Sequence, residues 1–367
     1  MNRRNLNKTE CRIITYVILL LIIGLVALYS ATSGTEFAEF KKQIIWIIIG
    51  TVILLLCVFV DYRLFVRFSP ILYGIALALL AIVLLTGRIN GASSWFSLGS
   101  FSLQPSEFGK IAVILFLSKT LSELGRNQSK MLNKPLNLLK ITSIVLVPVL
   151  LIAIEPDFGT AMAYIFGLIF ILFVAGIDKR YIFVGIALVI IIVPLLYFFV
   201  LPEHAKARID VYLNPYTDPR GDGYNIIQSE IAIGAGNLFG LGFLKGTQTH
   251  LGYLYPKTTD FIYSVIGEEF GFIMCSIVVI LYVLLITKCI TVAKNTDDET
   301  GAYIVMGLVG VLFFHVLENV GMTMGLLPIT GVPLPFISYG GSSMITNMMI
   351  IGFILNISYR SKKSIYN

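Results

Sequence analysis

Long charge-free apolar runs, divided by short clusters of basic residues, organise this chain from one end to the other. Residues 13–35, 43–60, 68–87, 158–177, 181–202, 270–287, 300–317 and 340–359 carry no Asp, Glu, Lys or Arg. Each reaches or approaches the roughly 20 residues that a helix needs to cross about 30 Å of hydrocarbon. Two further apolar stretches, 111–118 and 141–154, are too short to assign on hydropathy alone. The segment between them holds Lys119, Arg126, Lys130, Lys134 and Lys140. Lys and Arg collect on the cytoplasmic side, so these five belong with the N-terminus, which requires both stretches to span. The pattern predicts an all-α polytopic membrane protein with ten transmembrane helices and both termini in the cytoplasm.

Composition agrees. Charged residues make up 13% of the chain and hydrophobic ones 57%, with a mean hydropathy of +0.87. Soluble domains carry about 25% charged residues, so a soluble globular protein is excluded. In the ten-helix arrangement, eighteen basic and seven acidic side chains lie inside, a balance of +11 that leaves −5 elsewhere from the net +6. The basic excess is thus explained by orientation and implies no nucleic-acid partner. The first apolar run reads as a retained anchor, longer than a signal-peptide core. Cys11, Cys57, Cys275 and Cys289 fall in spans or on the inner side, with no external pair for a disulfide and no metal-ligand spacing.

The chain reads as a single domain, 1–367, in which residues 203–259 form a large external loop and 88–106 a smaller one. Loops of this length are usually functional or disordered. Balanced charge and a mixture of Pro, Gly, Tyr and apolar residues favour a folded cap. Ile227, Ile231, Ala235 and Leu238 recur at a spacing that suits a short helix lying on the membrane surface.

Acids in the outer half of the membrane are the informative residues. Asp260 stands where the long loop meets an apolar helix, and two readings are open: an ordinary helix cap, or a general base whose proton affinity burial raises. Glu268 and Glu269 lie deeper in the same helix and Glu318 in another span, either at a functional site or in structural pairs. Asp157, after Glu155 and Pro156 in a tight external turn, reads first as a helix cap. Glu107 and Lys110 share a helix face as a pair behind Pro105. Trp95 on the smaller loop is either an interfacial anchor or a stacking surface for a sugar. Residues 327–343 hold three prolines and three glycines that forbid continuous helix. The amides there and Ser338, Ser342 and Ser343 suit a pyrophosphate, or the glycines serve close helix packing.

Several motifs together resemble the SEDS family (shape, elongation, division and sporulation proteins) almost end to end. They are Gln104-Pro105-Ser106-Glu107 with Lys110; Glu155-Pro156-Asp157-Phe158-Gly159-Thr160; and Arg208 through Asn214-Pro215 and Asp218-Pro219 to Gly223-Tyr224 and Gln228-Ser229. Thr259-Asp260-Phe261-Ile262 with Gly267-Glu268-Glu269, and Thr330-Gly331 through Ser343, complete the set. The resemblance implies ten helices and a peptidoglycan glycosyltransferase that polymerises lipid II on the outer face of the bacterial cytoplasmic membrane. It also implies a class B penicillin-binding protein as partner, beside membrane lipids, and a catalytic aspartate at Asp260. Lys245-Gly246-Thr247-Gln248 and Leu251 are similar to the family's elongation member, which serves rod shape. Two positions depart from the family pattern: Thr258 stands where a His is common, and Asn225 where Gln is usual.

The expected substrate contacts are Trp95, Glu107, Lys110, Arg208, Gln228, Lys245, Thr247, Gln248, Ser338 and Ser342. Lys110, Arg208 and Lys245 are the candidates to meet the leaving pyrophosphate; Arg88, Arg220 and Lys257 have weaker claims. The sequence requires no cofactor. A divalent cation on the pyrophosphate is compatible with the chemistry, but no ligand cluster predicts a metal site. The rival reading is a lipid-linked precursor flippase using Glu268, Glu269 and Glu318 as a pathway, and a noncatalytic scaffold is a third.

Overall fold

The computed structural model describes residues 7–85, 96–98, 101–125, 133–178, 180–181, 183–185, 187, 211–221 and 223–361. Trp95, Arg88, Arg208 and most of the run at 181–202 lie outside the described residues. Helices dominate, with one small hairpin of β1 (Phe96–Leu98) and β2 (Phe101–Leu103), paired Phe96 to Leu103.

The long helices are α1 (Lys8–Ala31), α2 (Ala38–Phe59), α3 (Tyr62–Leu85), α4 (Pro105–Gly125), α5 (Pro135–Ile154) and α6 (Phe158–Val174). After the long loop, with its short α7 (Tyr224–Ala235) and α8 (Thr247–His250), come α9 (Ile262–Lys294), α10 (Glu299–Thr323) and α11 (Gly341–Ser361). Seven of these are long and apolar enough to cross a membrane, and Phe158–Val174 is a shorter apolar helix. The two stretches too short for hydropathy both fall inside full-length helices, α4 with 21 residues and α5 with 20. At 1.5 Å per residue each reaches about 30 Å.

Helices α10 and α11 sit at the centre: 83% of their apolar windows is buried, against 17–33% for the other five. These two are the least apolar of the seven spans; lipid solvates apolar side chains, so helices richer in small and polar residues pack inward and their polar groups face protein. Asn356 of α11 shows the consequence, donating to the carbonyls of Cys57 and Val58 at 2.7 and 2.9 Å and closing the α2–α3 turn. At that end, Ser358 also donates to the buried Glu10 (2.9 Å), and Tyr62 hydrogen-bonds Asp298.

At the opposite end, which carries the long loop, α9 is broken. Gly271 has φ +74° and ψ −171°, far from helix. Residues 237–242 fill the break: Phe272 and Ile273 donate to the carbonyls of Asn237 and Leu238 (2.8 and 3.2 Å). Leu241 and Gly242 donate in turn to those of Glu268 and Glu269 (2.9 and 3.0 Å). Buried backbone groups need partners, and here the loop supplies those the helix gives up.

The short helix expected in this loop exists as α7. Its inward face is Ile226, Ser229 and Ala232. Ile231 is exposed, and Leu238 lies beyond the helix end. The anchor is polar: Ser229 Oγ bonds Ser264 Oγ at 2.6 Å and the Thr323 carbonyl at 2.7 Å.

Candidate active site

Asp260 lies in a turn before α9, where the N-cap position belongs to Phe261 and no side chain caps the helix. The Asp260 carboxylate is therefore not spent on capping, which removes the simpler of its two sequence readings. Its turn is tied down on every side. Asn319 of α10 donates from Nδ2 to the Asp260 carbonyl (3.0 Å) and to that of Val332 (2.8 Å). Ser338 Oγ donates to the Thr259 carbonyl (2.6 Å) and accepts from the Leu334 amide (2.8 Å). The Tyr339 amide donates to the Thr258 carbonyl (2.9 Å), and Gln43 Nε2 to that of Ser338 (2.9 Å). The broken segment 327–340 is thus the back wall of the Asp260 turn. From Val332 to Ser338 this irregular stretch is buried in protein except for the half-buried Pro333, as membrane depth requires, while Pro328 and Gly331 are exposed.

Burial pushes the Asp260 carboxyl up from the usual carboxylate range to about 6, only partly offset by a hydrogen bond with Thr259. That places it where a general base works near neutral pH. Gly331, at φ +73°, lies opposite: a β-carbon there would come 3.6 Å from Asp260 Oδ2.

The neighbouring polar groups join this wall. Thr330 donates to Glu318 (2.8 Å). Gly159, at the start of α6, approaches so closely that a β-carbon would collide with Val332 Cγ2 at 2.3 Å and Thr330 Oγ1 at 2.8 Å. Asp157 caps α6 by accepting from the Thr160 amide (3.0 Å) and also accepts from Gln104 Nε2 (2.8 Å). Burial pushes the Asp157 carboxyl upward, opposed by Thr160 and by the positive charge of Lys110. The Gln104 amide donates to Ser342 Oγ (3.1 Å). Behind Asp157, Lys110 Nζ meets Glu107 Oε1 at 2.6 Å and His315 Nε2 at 3.1 Å, all three side chains buried. Sequence reasoning missed His315 and Asn319. The available signal was that both share one face of α10 with Glu318, and polar groups inside a span face the bundle interior.

Lys245, Thr247 and Gln248 lie on the long loop, at and just before α8. Glu268 holds that loop, accepting from the Gln248 and Thr249 amides (2.6 and 3.0 Å) and from the Thr249 and Thr247 hydroxyls (2.6 and 3.2 Å). Glu269 accepts from Ser30 (2.5 Å) and meets His250 Nε2 (3.1 Å), joining α8 to α1. Lys257 donates to the Thr249 carbonyl (2.7 Å), and burial lowers its pKa. Glu268 and Glu269 therefore engage loop and helix partners at the end that carries the long loop. Gln228 is half-buried on α7. Among the described residues no group of three or more His, Cys, Asp or Glu is arranged to hold a metal ion. The four cysteines are free, with Cys57, Cys275 and Cys289 buried.

A family model described as "Cell cycle protein", covering FtsW, RodA and SpoVE, matches residues 11–363. The chain belongs to this family, the SEDS proteins. It is 38% identical to the peptidoglycan glycosyltransferase MrdB of Escherichia coli K12 over 348 residues, 94% of this chain and 91% of that one. Stage V sporulation protein E of Bacillus subtilis is 36% identical over 361 residues, 95% of this chain and 97% of its own. The crystal structure of Thermus thermophilus RodA superposes with a TM-score of 0.70 at 29% identity, covering 95% of both chains. A chain from a structure titled as a peptidoglycan synthase complex that coordinates polymerization and crosslinking superposes with a TM-score of 0.83 at 29% identity. It covers 95% of this chain and 97% of that one. The multi-pass SEDS fold expected from the sequence is therefore the fold of this protein.

Proposed function

We propose that this protein is a peptidoglycan glycosyltransferase that polymerises lipid II, with Asp260 as the general base. The observation that carries the reading is an aspartate that caps no helix, its carboxyl raised to about 6, set against Gly331 in a turn held by α10 and by the 327–340 segment. Asp260 takes the proton of the GlcNAc 4-hydroxyl as that oxygen attacks the anomeric carbon of MurNAc on the growing chain. Inversion at that carbon expels undecaprenyl pyrophosphate. One well-placed donor or cation on the developing charge is worth about 3 kcal/mol in a site shielded from water.

The substrate contacts are proposed in four groups. Lys245, Thr247 and Gln248, with Arg208, meet the pyrophosphate from the outer loop. Ser338 and Ser342 line the back wall, and Gln228 and Trp95 the sugar side. Glu107 and Lys110 act from within the protein, since both are buried. An apolar cavity of about 310 Å³, lined by Trp46, Ile49, Leu103, Phe108 and Ile345, borders Ser342 and suits an isoprenoid tail.

Ten crossings, cytoplasmic termini and an outer-face site complete the proposal, with residues 181–202 as the crossing beyond the described residues. The inner loops' excess of Lys and Arg supports this orientation. A class B penicillin-binding protein is the proposed partner, and similarity at Lys245-Gly246-Thr247-Gln248 supports the elongation role over division. The flippase reading is disfavoured because its proposed acids, Glu268, Glu269 and Glu318, hydrogen-bond outer-end loops and helix ends. The test is polymerisation of labelled lipid II by detergent-solubilised protein. Glycan ladders are expected where no membrane remains to cross; lipid II consumed by no variant or partner combination points to transport.

A further inference from the structure

The buried group around Lys110 is a polar feature that the proton transfer leaves unused. Glu107, Lys110 and His315 are 3%, 1% and 2% exposed. The ammonium donates to Glu107 Oε1 at 2.6 Å and contacts His315 Nε2 at 3.1 Å. An ammonium has only donors, so Nε2 accepts and the imidazole proton sits on Nδ1. This ring is neutral and oriented, and a buried ion pair needs such extra partners to offset desolvation.

The other edge of the ring faces the Pro333 backbone, without an Nδ1 hydrogen bond of full geometry. Pro333 follows Val332, whose carbonyl Asn319 holds together with the carbonyl of Asp260. One face of α10 thus carries His315, Glu318 and Asn319, which contact Pro333, Thr330, Val332 and the Asp260 turn. Of these three, His315 alone is also joined to the Lys110–Glu107 pair of α4.

We propose that His315 is a positioning residue for glycosyl transfer: it joins the buried Lys110 ammonium to the 330–333 segment that backs Asp260, fixing cation and base relative to each other. The inference rests on the reading of Asp260 as the base. A Gln at 315 places an amide oxygen near the Nε2 position and keeps the Lys110 contact. An Asn places its polar group only near Nδ1, and a Leu has none.

The test measures kcat and KM for lipid II polymerisation, with thermal stability, in His315→Gln, His315→Asn and His315→Leu. Expected is a kcat for His315→Gln within about threefold of wild type. Expected for His315→Asn and His315→Leu is a loss of at least tenfold in kcat, with KM within about twofold. A second readout is the acid limb of kcat/KM, which should move to lower pH in His315→Asn as the wall behind Asp260 loosens and water enters. If His315→Leu fails to fold, the Gln and Asn pair decides. The proposal is overturned if Gln is as impaired as Asn, or if Asn retains wild-type kcat and acid limb. Asp260→Asn runs in the same assay: activity there at the wild-type rate removes the reading of the base itself, whatever the His315 variants do.

Discussion

Gly331 faces the carboxylate of Asp260 across a gap that a single added carbon would close to 3.6 Å. The glycine serves two purposes, since its φ of +73° is a conformation that L side chains rarely adopt. Gly331→Ala is expected to lower kcat about tenfold while lowering stability by about 1–2 kcal/mol. Steady-state kinetics and thermal unfolding of the same preparation check both.

The raised Asp260 carboxyl has a signed consequence for pH. As base it must be ionised, so kcat/KM should fall tenfold per unit below about pH 6. For stability the sign is opposite. A carboxyl whose folded pKa lies above its unfolded value stabilises the fold below the unfolded value, near 4, and that contribution is lost as pH rises through about 6. Asp260→Asn should therefore be more stable than wild type at pH 7.5, by up to about 3 kcal/mol, and the gain should vanish below pH 4. Melting curves across this range test it.

Gly271 is the hinge that lets residues 237–242 enter α9. A β-carbon there would lie 2.4 Å from the Gly240 amide nitrogen and 2.6 Å from the Leu238 carbonyl carbon. Gly271→Ala should destabilise the protein by several kcal/mol and expose the outer loop. Limited proteolysis should show new cleavage between 236 and 245.

Glu268 holds the turn at Thr247–His250 through two amides and two hydroxyls. Glu268→Ala leaves those donors unpaired, at about 1–3 kcal/mol for each buried one. The expected result is faster proteolysis between 245 and 252 and a raised KM for lipid II, with kcat less affected, if Lys245 and its neighbours bind substrate.

Much of this was legible in the sequence because lipid leaves few choices: charge-free runs mark spans, and basic loops mark sides. The helix at Pro105–Gly125 was hidden from hydropathy by Glu107 and Lys110, which are embedded as a pair rather than displayed on a surface. Asp260 was visible as an acid at a helix start, but its freedom from capping is a property of Phe261's backbone, which no residue pattern announces. His315 and Asn319 were missed because their partners, Lys110 and the carbonyls of Asp260 and Val332, come from distant segments. The protein-facing side of α7 was not legible, because its anchor is the hydroxyl of Ser229, whose partners lie on α9 and at the end of α10.

The central claim is that Asp260 removes the proton of the attacking hydroxyl. Its most direct test is lipid II polymerisation by purified Asp260→Asn, a change that keeps the shape of the side chain and takes away the base. The account predicts loss of at least a hundredfold in rate, with the variant folded and at least as stable as wild type. Glycan made at the wild-type rate by that variant would contradict it.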